Sequence, residues 1–335
     1  MKGKLSFVLL GLAVLALTTG MIGGCGRGPS PTGNGDVPQQ SSAVVGEIQL
    51  EGAGRFIVFG NYAYVASDAG LYIVDVSDPT NPTLVGSAEI ENFNSYDIAL
   101  YSNYVYMSGY VSVSGSVVGD YIKIINVSNP ANPQIVNSID TGVHSYDLSF
   151  HGNRLYSVAA YSPLKIYNVT TPEAPSLEVS VQISWSLEDI EVSDNYAYIG
   201  DYFNGLRVVC LTSIESVIEE KVVSIDKADN LFLSGNYVYL TEYGGKLHVI
   251  DVSDPASPVE INSYDGSYHY RPFVLGNYVY LPASFSLLIL DVSDKQNLSV
   301  YKTVDEITYW VYAADKYIYI RGNDSTLKII EKAKL

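Results

Sequence analysis

A four-residue pattern, Asn-Tyr-x-Tyr, returns along this chain and constrains its architecture more than any other feature does. It stands as Asn61-Tyr-Ala-Tyr64, Asn103-Tyr-Val-Tyr106, Asn153-Arg-Leu-Tyr156, Asn195-Tyr-Ala-Tyr198, Asn236-Tyr-Val-Tyr239, Asn277-Tyr-Val-Tyr280 and Lys316-Tyr-Ile-Tyr319, spaced by 42, 50, 42, 41, 41 and 39 residues. Self-similarity at a period of roughly 20 to 50 residues marks a repeat architecture, in which one unit cannot bury its apolar face alone. Before each copy runs an extended segment, such as Gly54 to Phe59, ending in a Gly-Asn, Ser-Asn or Asp-Asn turn that suits a hairpin. These are strands a and b. A β-branched, apolar segment follows as strand c: Leu71 to Val76, Ile122 to Val127, Leu164 to Val169, Leu206 to Leu211, Leu247 to Val252, Leu287 to Val292 and Leu327 to Ile330. Then comes a turn such as Ser77-Asp-Pro-Thr-Asn-Pro82, in which Pro sets φ and Asp or Asn accepts a local backbone bond, and a strand d such as Leu84 to Ile90.

Four short antiparallel strands in each of seven units predict an all-β, seven-bladed β-propeller over residues 44–335. The ends of the chain predict how it closes. No strand d follows the seventh strand c, while Val45-Gly46 through Leu50-Glu51 matches Val85-Gly86 through Ile90-Glu91 in spacing. The N-terminal strand is therefore expected to complete the last blade, removing the edge that an open array would expose.

Leu71-Tyr-Ile-Val-Asp75, Leu247-His-Val-Ile-Asp251 and Leu287-Leu-Ile-Leu-Asp291, each followed by Val-Ser-Asp, resemble the LVIVD repeat family. That resemblance covers essentially all of residues 44–335 and implies a propeller of bacterial or archaeal surface proteins, with no common activity attached. Blade 4 departs most, with Cys210 at the Asp position and Thr212-Ser-Ile-Glu-Ser216 in place of the Asp-Pro turn.

The N-terminus carries Lys2 and Lys4, an apolar run from Leu5 to about Leu17, and Met21-Ile-Gly-Gly-Cys25, which reads as a signal peptide over 1–24. Small residues before a Cys, with an aliphatic residue three positions upstream, resemble the bacterial lipobox. The resemblance implies that Cys25 carries a diacylglycerol thioether and becomes the first mature residue, its acyl chains holding the protein on a membrane. Gly26 is not the Asp that marks inner-membrane retention in many Gram-negative lipoproteins, and inner against outer membrane stays open. The segment 25–43, rich in Gly, Pro, Ser and Gln, is expected to be a flexible tether. Without Lys2 and Lys4 the chain has 17 basic residues against 36 acidic ones, so phosphate backbones are repelled and nucleic acid is excluded as a partner. An acylated Cys25 leaves Cys210 no intramolecular disulfide partner.

Function in a propeller is sought on the face that carries the d-to-a and b-to-c connections. Six residues before each Asn or Lys of the motif lies one equivalent position per blade: Arg55, Asp97, Asp147, Asp189, Asn230, Arg271 and Trp310. Strand a being innermost, these residues are expected to ring the channel mouth. Asp97, Asp147 and Asp189 suit either Ca²⁺ or Mg²⁺ or, as repeated side chains, hydrogen bonds from neighbouring backbone N–H groups. Arg55 and Arg271 either balance those acids or hold an anionic ligand group. Trp185, Trp310, Phe93, His144, Tyr268, His269, Tyr270 and Tyr309 fall in or beside d-to-a connections, where aromatic faces suit stacking on sugars or docking a protein, or else pack on the next blade. An insertion at Val111 to Gly119 in blade 2 overhangs the same face, as a lid or as plain surface.

Catalytic motifs are thin. His144, His151, His248 and His269 show no metal-ligand spacing, and GxSxG, phosphate-loop and CxxC patterns do not occur. His248 and Cys210, both in strand c, read as structural. The expectation is a monomeric, lipid-anchored, non-enzymatic binding module of the cell envelope without a cofactor, its partner a protein or glycan. The alternative is an envelope lyase or hydrolase using a divalent cation at the acidic channel mouth.

Overall fold

Because strands b and c are apolar at nearly every position, they can be buried on both sides, and stacking of sheets is what buries them. The computed structural model describes residues 43–211, 218–268, 270–283 and 285–335. The segment expected to be a signal peptide, Cys25 and the expected tether as far as Ser42, together with Thr212 to Ser216 and His269, lie outside the described residues. Blade 1 consists of strands a (Ala53–Phe59), b (Tyr62–Ser67), c (Gly70–Asp75) and d (Thr83–Glu89). Six such antiparallel sheets, hydrogen-bonded in the order a-b-c-d, occupy residues 53–89, 93–140, 147–181, 187–223, 228–268 and 273–304. Consecutive blades touch through their a strands, and these contacts run round to link blade 7 (strand a, Trp310–Ala313) with blade 1.

The seventh sheet is closed by the N-terminal strand. Val44–Gln49 pairs antiparallel with strand c of blade 7, Thr326–Glu331, in the register Val44 to Ile330 and Gln49 to Thr326. Further bonds extend it at both ends, from Leu50 N–H to the Ser325 carbonyl at 3.1 Å and from Glu331 N–H to the Ala43 carbonyl at 3.0 Å.

The repeated residues are those that join one blade to the next. The second Tyr of every motif is buried, from 0% exposed at Tyr106 to 5% at Tyr64 and Tyr319. Each packs into the apolar cluster of the following blade, as Tyr64 does against Ile98 and Val105, and Tyr319 against Val58 and Ala63. The motif's Asn carbonyl holds the end of strand c, as in Val76 N–H to Asn61 O and Val252 N–H to Asn236 O, both at 2.8 Å. The Asp that ends strand c accepts the N–H two residues on, at 2.8 Å in Asp75, Asp251 and Asp291, and so initiates the proline turn. Blade 4 has Cys210 there, a buried side chain with no carboxylate to do this.

Strand d contributes a second joint. A Cβ at Gly86 would lie 2.1 Å from the Pro130 carbonyl oxygen in the turn of blade 2, and one at Gly46 would lie 2.1 Å from Pro79 O in the turn of blade 1. Glycine is needed because two backbones meet. At the same register blades 2 and 5 carry Asn, whose amides donate to the next blade's turn instead: Asn137 to Glu173 O at 2.7 Å and Asn262 to Lys295 O at 3.2 Å.

Candidate functional site: a charged channel layer and an aromatic loop face

Strand a brings one side chain per blade to a single layer of the channel, because its first residues are the closest to the axis. Two arginines there reach across the ring. Arg55 Nη1 donates to Asp97 Oδ1 at 3.0 Å and to Asp147 Oδ1 at 3.2 Å. From the opposite side Arg271 Nη1 donates to Asp147 Oδ1 at 3.0 Å, while its Nη2 pairs with Glu191 and lies 3.6 Å from Asp189 Oδ1. The second oxygen of each Asp accepts a backbone N–H from the next blade: Leu148 to Asp97 at 2.9 Å, Ile190 to Asp147 at 3.1 Å, and Leu231 to Asp189 at 2.9 Å. Trp310 makes the corresponding bond across the closing joint, from Nε1 to Phe56 O at 2.8 Å, and Arg55 lies over its ring, 4.8 Å from the centroid.

The layer is thus a belt of interblade bonds with two guanidinium groups inside it. Both oxygens of Asp97 and Asp147 are engaged, and among the described residues no group of three or more His, Cys, Asp or Glu is arranged to hold a metal ion. A divalent cation would have to displace arginines already in place, so this donor set does not fit one. Four carboxyl groups face two guanidinium groups, and burial with the mutual repulsion of the acids raises Asp97 to about 6 and Asp147 to about 7. Burial likewise raises Asp189 and Glu191, opposed by Arg271.

Above this layer the b-to-c and d-to-a loops carry aromatic side chains of a different kind. Tyr161 is 76% exposed, Trp185 62%, Phe203 73% and Phe285 82%. Tyr161, Trp185 and Phe203 lie on adjoining loops of blades 3 and 4. Tyr161 N–H donates to the Trp185 carbonyl and Tyr202 N–H to the Ser186 carbonyl, both at 2.9 Å. The Tyr202 ring lies 5.2 Å from Phe203 and 6.3 Å from Tyr243, and farther round Tyr270 and Tyr309 meet edge to face at 5.1 Å, with Arg321 5.0 Å from the Tyr309 centroid. Glu188 and Asp229, in strands a of blades 4 and 5, are raised to about 7 and about 6 by burial and, for Glu188, by nearby Asp229 and Asp201.

The residues picked from sequence divide accordingly. Arg55, Asp97, Asp147, Asp189 and Arg271 come together in the channel layer; Trp310 joins them half-buried, and Asn230 is buried at the same level. Trp185 and Tyr270 lie on the loop arc. Phe93 and Tyr268, grouped with the loop aromatics from sequence, are core residues, 1% and 4% exposed, because strands extend to include them. His144 pairs with Asp120 inside a cluster of Tyr96, Tyr110 and Tyr146. The Val111 to Gly119 insertion is a prolongation of strands b and c (Tyr104–Val113 and Ser116–Asn126) into a hairpin with Val113, Val117 and Val118 about half exposed. Sequence reading missed Glu191 and the b-to-c aromatics. Glu191 was recoverable as the residue two places beyond Asp189 on the same strand face, and Phe203, in Asp201-Tyr-Phe-Asn-Gly205, as a ring in a turn-forming segment.

Comparison with known proteins agrees with this fold. The LVIVD repeat model matches residues 52–89, 186–211, 226–266 and 273–306, which are blades 1, 4, 5 and 6. No curated protein matches the chain. Among solved structures, a chain of the mitotic checkpoint complex is similar with 11% identity over 88% of this chain and 97% of its own, at a TM-score of 0.69. The computationally designed Ika8 protein is similar with 12% identity over 86% and 98%, at 0.60, and a protein from Lactobacillus plantarum with 12% identity over 76% and 85%, at 0.63. At such identities the likeness concerns fold alone. The repeat model matches even blade 4, where the Asp is replaced by Cys210, so that four of the seven blades are LVIVD repeats.

Proposed function

We propose that this protein is a non-enzymatic binding module of the cell envelope, anchored through a lipid on Cys25 and recognising a protein or glycan with its loop face. The observation that carries this reading is the exposed arc of Tyr161, Trp185, Phe203 and Tyr243, which solvent alone gives a monomer no reason to keep. Flat aromatic faces stack on sugar rings or on apolar side chains, and the acidic pair Glu188 and Asp229 offers acceptors for hydroxyl or amine donors nearby. The chain enters the propeller at Val44, which pairs with Ile330 at the end of strand c, on the face of the a-to-b turns. The aromatic arc lies on the opposite face of the propeller. A cation-dependent lyase or hydrolase would draw on the aspartate ring, where both oxygens of Asp97 and of Asp147 are taken by arginines and backbone N–H groups.

The test is retention of ligands from solubilised native envelope and from a glycan array by the wild type and by a Trp185→Ala/Phe203→Ala variant. Specific retention lost in the variant, with melting unchanged, supports the reading; equal retention by both proteins overturns it. For the anchor, Cys25→Ser is expected to move the protein out of the detergent phase, and an unchanged membrane fraction would sink the lipid assignment.

A further inference from the structure

Between the charged layer and the a-to-b turns the channel holds a cavity of about 280 Å³ that plays no part in the loop-face reading. An engineered cavity of about 150 Å³ admits benzene, so this volume accommodates a phenyl ring with a short arm. One wall is aromatic. Phe232, Phe273 and Tyr312 lie on strands a of blades 5, 6 and 7, each two residues beyond the charged layer, where the strand period turns them to the same side. Their rings are in contact, with centroids 4.9 Å and 4.8 Å apart. Ile57 and Ala99 occupy the equivalent positions in blades 1 and 2 and also line the cavity.

The polar end of the cavity has a definite sign. Arg271 lines it, yet both terminal nitrogens of that guanidinium already face carboxylates, at Asp147, Asp189 and Glu191. Glu191 also lines it and is the most open carboxylate of the cluster, its side chain 23% exposed against 1% for Asp147 and 4% for Asp189. One Glu191 oxygen pairs with Arg271; the other receives no hydrogen bond from the described residues. Where the four acids are ionised they outnumber the two arginines and leave the excess charge negative, and the faces of aromatic rings are themselves negative. An apolar cavity with a few convergent polar groups at one end is the general form of a small-molecule site.

We infer that this cavity binds a small organic cation, a primary ammonium on an aryl or short alkyl body, with the ammonium at Glu191 and the body along Phe232, Phe273 and Tyr312. The site is separate from the loop arc, so the two readings stand or fall independently. Calorimetric titration of the full chain with phenethylammonium, 2-phenylethanol and 3-phenylpropionate, which share one ring and differ in charge, tests it. The ammonium is expected to bind at least about tenfold more tightly than the alcohol, as a charge-assisted bond to a carboxylate requires, and the carboxylate probe most weakly. Glu191→Gln should abolish the preference of ammonium over alcohol. Ala99→Leu, which fills the cavity and leaves Glu191 in place, should abolish binding of both. Binding of the carboxylate as tight as that of the ammonium, undiminished ammonium affinity in either variant at native melting temperature, or no ammonium binding at about 10 mM, far weaker than a specific site, would each overturn the inference. Should one variant fail to fold, the charge preference of the wild type together with the other variant decides.

Discussion

The two ends of this propeller are made from the same seven repeats and present opposite surfaces. At the end with the a-to-b and c-to-d turns, recurring side chains have recurring partners: the carboxylates of Asp75, Asp251 and Asp291 each accept the same turn N–H, and Gly46 and Gly86 each admit a neighbouring proline carbonyl. At the end with the b-to-c and d-to-a loops, Tyr161, Phe203 and Phe285, each eight residues beyond the motif's Asn, and Trp185 in a d-to-a connection project into solvent. Regularity marks the groups that hold the ring together, because every joint poses the same packing problem. Exposure, even at a recurring loop position, marks groups the ring does not need. The channel layer lies between these extremes, with the repeated Asp97, Asp147 and Asp189 bonding forward to the next blade and the unrepeated Arg55 and Arg271 neutralising them.

That contrast can be broken by perturbing one end at a time. Deleting residues 44–51 removes the strand that covers the edge of Thr326–Glu331 and is expected to lower the melting temperature by more than about 10 °C or to cause aggregation. Deleting residues 26–41 should leave melting unchanged, and equal melting of the two truncations would show that the N-terminal strand does not close the ring. Next in size, Arg271→Leu strips a partner from three buried carboxylates and should cost about 3 kcal/mol at pH 8 by chemical denaturation. The cost should shrink at pH 5, where protonated carboxyls no longer need the guanidinium. Gly46→Val drives a side chain into the Pro79 carbonyl and should cost about 2 kcal/mol.

A smaller effect is expected in the wild type on titration alone. Asp97 and Asp147 are raised from 3.8 to about 6 and about 7, chiefly by burial, so the folded protein holds protons that the unfolded chain releases. Their contribution to stability is complete below about pH 4 and is lost as pH rises through 6 to 7. Melting temperature should therefore fall between pH 5 and pH 8, with the fall reduced in an Asp97→Asn/Asp147→Asn variant. The carboxyls held low at Asp75, Asp78 and Asp201 respond in a more acidic window and do not cancel this. Smallest of all, Trp185→Ala should shift stability by no more than about 0.5 kcal/mol, as for an exposed side chain outside the packing scheme. A large loss there would place Trp185 among the scaffold residues and blur the distinction between the two ends.

Much of the fold was legible because its signals are local and sevenfold. The spacing of Asn-Tyr-x-Tyr locates every strand b, and the match of Val45-Gly46 to Val85-Gly86 identifies the closing strand, since the same glycine meets the same proline turn at both joints. The seven positions of the channel layer could be aligned for the same reason. Their partners could not. Arg55 and Arg271 converge on Asp147 from opposite sides of a ring, a contact between residues 92 and 124 positions apart that no periodicity encodes. The burial of Phe93 and Tyr268 was left open from sequence because strand ends depend on how far pairing continues, as it does from Gly245 to Tyr268.

What the sequence by itself determined is the architecture: how many blades, which strands, and where the ring is sealed. Those follow from backbone pairing and the burial of recurring apolar residues, which are written once per blade. Only the tertiary structure decided which acids and arginines pair with one another, that the oxygens of Asp97 and Asp147 are already occupied, which aromatic rings are buried, and that Phe232, Phe273 and Tyr312 stand around a cavity beside Glu191. Closure of the ring brings side chains from distant blades within a few ångströms across the axis, and electrostatic and packing energies depend on those distances and not on separation along the chain.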